Sequence, residues 1–141
     1  MNFEWEPLAD GASRCRLPFL DVTIGLMWSS AGALLIDTGT TLTEARTVGA
    51  DAETMAGREI SHIVLTHHHI DHVLGASAFD GAAVYCTPAV ATTMADSAER
   101  LRADAVGYGA DQREVDDAVV AGADRTVVFC GDLVVSRTTR V

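Results

Sequence analysis

All five histidines of the chain fall between positions 62 and 72, and four of them occupy one run, His67-His68-His69-Ile70-Asp71-His72. Imidazole and carboxylate groups packed into one short segment suit zinc or a similar first-row metal ion. His67 and His69 are two apart, so in an extended segment they point to the same side and share one ion. Asp71 and His72 follow at once, where the chain turns into a helix, which aims them at a second ion close by. His68 alternates away from His67 and His69 and is read as a non-ligand. His62 precedes the strand and is read as an ordinary surface or core histidine. Three plainer readings compete with a catalytic centre. An expression tag is one, but such runs are terminal and contain no Asp. The others are a polar surface loop and a structural zinc site without catalysis.

The run needs a rigid support, and its flanks supply one. An apolar, β-branched strand is expected over 60–66, directly before the histidines, so that the loop leaves a fixed sheet edge. Upstream, strands are expected over 14–19, 22–28 and 33–36, the last ending in Asp37-Thr38-Gly39-Thr40. A helix is expected over 43–56, with Ala45, Val48, Ala52 and Met55 on one face, Thr43 as N-cap and Gly57 as its stop. Downstream come a short helix over 73–79, a strand over 82–86 and a helix over 88–95 entered through Pro88. Helices over 99–107 and 112–121 follow, then strands over 126–129 and 133–136. Strands alternating with helices make the class α/β.

Two segments together resemble the metallo-β-lactamase-fold hydrolases. Residues 66–72, Thr-His-His-His-Ile-Asp-His, match that family's H-x-H-x-D-H signature behind an apolar strand. Leu34-Leu35-Ile36-Asp37-Thr38-Gly39 is similar to its strand ending in D-T-G. The likeness spans about residues 15 to 90. It implies an αββα sandwich, with His67 and His69 on a first zinc and Asp71 and His72 on a second. Asp37 would then lie beneath the metal loop; a turn-forming or helix-capping Asp is the plainer alternative. Later in the chain, Gly131-Asp132 resembles the family's G-D element, which would make Asp132 a bridging ligand. A hairpin turn between 127–129 and 133–135 is the other reading of that pair. The family also uses two later histidines, and no histidine follows His72 here. A complete domain of this kind runs to roughly 200–250 residues. The 141-residue chain is therefore expected to be one domain holding mainly the N-terminal half, truncated or internally deleted. The bare sheet face left over would favour aggregation or a homodimer.

The resemblance implies a zinc-dependent hydrolase. Metal-activated water would attack a small ester, thioester or lactone, and Asp71 would orient the nucleophile and relay a proton. The rival reading is a catalytically incomplete relative that binds metal weakly or not at all. An iron–flavin relative would need an attached flavin domain, of which there is no sign.

Composition narrows the partners. Twenty acidic residues stand against ten basic ones, net −10. Phosphate binding needs clustered Lys and Arg, so neither nucleic acid nor an anionic membrane is an expected partner; a small molecule is. The first ten residues carry no basic region and no apolar stretch, which argues against a signal peptide. Cys15, Cys86 and Cys130 are odd in number and far apart, which fits a reducing cytoplasm better than a disulfide framework.

Overall fold

Four antiparallel strands open the fold: β1 (Trp5–Ala9), β2 (Ala12–Arg16), β3 (Thr23–Ser29) and β4 (Gly32–Ile36). The computed structural model describes residues 1–123 and 127–129. Helix α1 (Leu42–Ala56) then crosses over to β5 (His62–Val64), which pairs parallel to β4. The one-turn helix α2 (Ile70–Val73) and a 3-10 helix (Leu74–Ala78) lead to β6 (Ala83–Cys86), parallel to β5. Helices α3 (Pro88–Asp96), α4 (Ala98–Gly107) and α5 (Gln112–Ala123) precede β7 (Val127–Phe129), parallel to β6. The sheet runs in strict chain order, β1 to β7. Parallel strands that advance in one direction through right-handed crossovers place their connecting helices on one face.

The alternation of the strands selects that face. Ile24, Leu26, Ala33, Leu35, Ile63 and Val84 are buried, and Ala45, Val48 and Ala52 of α1 join them in one core. The alternate residues Leu34, His62 and Tyr85 are half-buried and Met27 is exposed on the opposite face. There His62 stacks on Tyr85 and its Nδ1 meets Ser61 Oγ at 2.8 Å, well away from the other histidines.

Several boundaries differ from those expected. β1 was not anticipated, because the acidic start lacks a period-2 apolar pattern. β2 begins and ends earlier than 14–19. Helix α1 is capped by Thr41, whose hydroxyl accepts from the Glu44 N–H at 3.1 Å, and not by Thr43. Glu44 reaches back to the Thr40 N–H at 2.8 Å, so the two side chains satisfy the helix entrance together. Gly57 ends α1 with a left-handed φ of 65°, as expected. The helix after the histidines starts at Ile70, three residues early, so Asp71 and His72 stand on its first turn. Cys15 and Cys86 are both buried free thiols, and burial, with Asp51 and Glu44 nearby, pushes Cys15 up to about 12. Asp132, Cys130 and the strand expected over 133–136 lie outside the described residues.

Candidate metal centre

Parallel pairing of β4 and β5 puts the loops after both strands at the same edge of the sheet. The Asp37 N–H donates to the Val64 carbonyl at 2.9 Å, which extends the ladder one step beyond Ile36. Asp37 then takes a left-handed φ of 63°, a conformation that Asp tolerates better than most side chains. The turn swings its carboxylate under the histidine loop. There Oδ1 accepts from the Thr66 N–H at 2.9 Å, and Oδ2 accepts from the Thr66 hydroxyl at 2.7 Å. His72 Nδ1 lies 2.8 Å from the same Oδ2.

These contacts assign the protons. The Thr66 hydroxyl has one hydrogen and gives it to Asp37, so toward His67 Nδ1, 2.8 Å away, it can only accept. His67 therefore carries its proton on Nδ1. His72, donating from Nδ1 to a carboxylate, does the same. Both rings keep an Nε2 lone pair free, the arrangement in which a carboxylate orients a metal-binding imidazole from behind. One buried carboxylate thus orients two imidazoles, one directly and one through Thr66.

The rings converge. His67 lies 4.0 Å from His72 and 4.5 Å from His69, between ring centroids. His72 Nε2 is 3.5 Å from Asp71 Oδ2. Asp37, His67 and His72 each offer a ligand atom within 4.8 Å of the others. Asp37 spends its oxygens on Thr66 and His72, so its geometry is that of a support under the imidazoles. Burial first, then His72 and His69, hold the His67 imidazole below its usual pKa, against the pull of Asp37 and Asp71. A neutral ring is the form that ligates a metal. Burial pushes the Glu44 carboxyl up, the Thr40 N–H pulls it back, and the charge of Asp71 pushes it up again. Clustered imidazoles ringed by carboxylates suit a divalent cation.

The backbone locks this arrangement. The Thr38 N–H and hydroxyl both donate to the His72 carbonyl, at 3.0 and 2.9 Å. Gly75 donates to the Gly39 carbonyl at 2.9 Å. A Cβ at Gly75 would sit 2.3 Å from the Thr38 oxygen and 2.8 Å from Ala45 Cβ, so only glycine lets the two loops and α1 meet. His68 edges against His69 at 5.5 Å and stays outside the group around Asp37. Thr66 and Thr38 had no assigned role in the sequence. A threonine closing the strand before a histidine pair is the one signal that pointed to Thr66.

Strand, turn, helix and histidine loop together define a half-sandwich with a metal-ligand edge. Residues 17–119, well over half of the chain, match the profile of the metallo-beta-lactamase superfamily, and the chain belongs to that superfamily. Solved structures agree on the fold. A metallo-β-lactamase from Hirschia baltica is 18% identical, with 62% of this chain and 44% of that one covered and a TM-score of 0.54. One from Erythrobacter litoralis is 21% identical, covering 65% and 44%, with a TM-score of 0.55. One from Cronobacter sakazakii, with a HARLDQ motif, is 26% identical, covering 66% and 38%, with a TM-score of 0.56. The chain spans less than half the length of these structures. No curated protein was found to match.

Proposed function

We propose that this chain is a zinc-dependent hydrolase of a small ester, thioester or lactone. In this reading His67 and His69 hold a first ion, and Asp71 and His72 hold a second. The observation that carries it is the orientation of His67 and His72 from Asp37, with the two rings 4.0 Å apart and His72 Nε2 3.5 Å from Asp71 Oδ2. When bound, zinc supplies a Lewis acid and lowers the pKa of a water ligand to about 7. Asp37 and Thr66 keep the two rings in the ligating tautomer. In this reading Asp71, on the first turn of α2, would orient the attacking water and pass its proton to the leaving group.

The test is elemental analysis of the purified, dialysed chain, followed by a panel of lactones and thioesters with added zinc. About one to two zinc ions per chain are expected, with turnover abolished by His67→Ala. A chain with no turnover above a zinc-only blank overturns the hydrolase reading. Zinc retained without turnover favours the rival, a metal-binding relative without activity. That reading draws on the absence of any histidine after His72.

A further inference from the structure

A cleft of about 420 Å³ opens beside the histidine loop. It is lined by Leu20, Ile70, Leu101 and Tyr108, by Arg100 and Asp104 of α4, and by His68, His69 and Asp71 of the histidine loop. A molecule lying in it therefore reaches both the histidine loop and α4.

Two features of the cleft go beyond what the fold itself requires. The first is Arg100, whose side chain is 65% exposed and whose only partner among the described residues is Asp104, at 3.9 Å, the limit of an ion pair. Arg102, two residues on, is by contrast engaged by both Asp116 and Glu99. Arg100 thus keeps nearly all of its five N–H donors, in the planar fork that matches a carboxylate. In a chain of net charge −10, a guanidinium held only by Asp104 at 3.9 Å, in the same cleft as the histidine loop, is a point where an anion can be held.

The second is the β2–β3 loop. Leu20 and Asp21 both adopt left-handed φ values, 55° and 57°. Leucine is a rare occupant of that region, and such residues cluster where function over-determines the backbone. The Arg16–Asp21 ion pair and the Leu17 N–H to Val22 carbonyl bond at 2.9 Å hold the turn. Leu20 is 38% exposed and lines the cleft, giving the same pocket as the cation an apolar wall.

We propose that Arg100 is the anion anchor of this cleft. The substrate class then narrows to esters, thioesters or lactones that carry a carboxylate and a short apolar chain. Arg100 holds the carboxylate, Leu20 and Tyr108 cover the chain, and the scissile carbonyl reaches the histidine loop. The choice of reacting bond rests on the hydrolase reading; the anion anchor does not.

The experiment pairs two esters with zinc-loaded protein: mono-para-nitrophenyl adipate, which ends in a carboxylate, and para-nitrophenyl hexanoate, which does not. The ratio of their kcat/KM values should favour the acid. It should fall about tenfold in Arg100→Gln, through KM, and recover largely in Arg100→Lys. In parallel, NMR titration with hexanoate and hexanamide reads binding without turnover. Hexanoate should bind about tenfold more weakly to Arg100→Gln and be little affected in His67→Ala. Should neither ester be cleaved while hexanoate binding still depends on Arg100, the hydrolase reading fails and the anchor stands. An ester ratio unchanged in Arg100→Gln overturns the anchor and leaves the hydrolase. So does hexanoate binding lost in His67→Ala but kept in Arg100→Gln, because the carboxylate then sits at the metal.

Discussion

Among the described residues two carboxylates are buried, Asp37 at 3% exposure and Asp51 at 2%, and each is surrounded by donors. Asp37 accepts from Thr66 twice and from His72. Asp51, on α1, accepts from the Asn2 N–H with both oxygens at 2.9 Å, and from Asn2 Nδ2, the Phe3 N–H and Trp5 Nε1 at 2.8, 2.8 and 3.2 Å. By hydrogen-bond count Asp51 looks the more important. The difference lies in what the donors do next. The donors of Asp37 lead to imidazoles, His72 directly and His67 through Thr66, and each ring has a second nitrogen to offer. The partners of Asp51 are Asn2, Phe3 and Trp5, which tie the first residues to α1 and carry no metal-ligating group. A saturated buried carboxylate is therefore no sign of a site until its donors have a second face to offer.

That contrast can be broken by removing each acid in turn. Asp37→Ala strands the Thr66 N–H and frees both rings. Zinc affinity should drop by roughly 100-fold and stability by about 3 kcal/mol, read by chelator competition and urea denaturation. Asp51→Ala should lower stability by about 2 kcal/mol and leave zinc affinity unchanged. A parallel loss of zinc would mean that the strap steers the site through α1, and the distinction would collapse. Thr66→Val sharpens the comparison: it removes only the link from Asp37 to His67. Zinc affinity should fall about tenfold with the fold kept.

The smallest effect is on acid stability. Burial alone would raise the Asp51 carboxyl, but the N–H groups of Asn2 and Phe3 and the side chains of Asn2 and Trp5 outweigh it and hold it below the usual value. A depressed folded pKa stabilises the fold fully above the ordinary carboxylate value of about 3.9, and the contribution is lost as pH falls through the lower folded value. Urea midpoints should therefore drop as pH falls below about 4, and less steeply in Asp51→Asn.

Much of this was legible in the residues. The alternation of 33–36 and the apolar run before His67 gave β4 and β5, and helical spacing from Ala45 to Ala56 gave α1. The histidine run gave the candidate ligands. What stayed hidden depended on contacts across the chain. Thr66 reads as the last residue of a strand until Asp37, 29 positions earlier, is seen to take its proton. Asp51 reads as one more exposed acid on a helix, because nothing local says that the N-terminus returns to it. Arg100 sits in an ordinary charged helical stretch, and only the packing of α4 beside α2 brings it to the histidine loop. The cap moved from Thr43 to Thr41 because Glu44 can close the entrance only from the third helical position.

The strand order has a consequence for how the molecule is made. Each described strand after β1 pairs with the one before it, so a chain emerging from the ribosome N-terminus first brings each of these strands to a partner already delivered. No strand has to wait for a distant one, and no early strand must be displaced to admit a later one. Asp37 emerges before its donors Thr66 and His72, and the wedge at Gly75 follows within three residues of His72. All residues of the histidine cluster are thus synthesised before α4. The residues that gather the metal ligands are made before Arg100, the residue proposed to choose what reaches them.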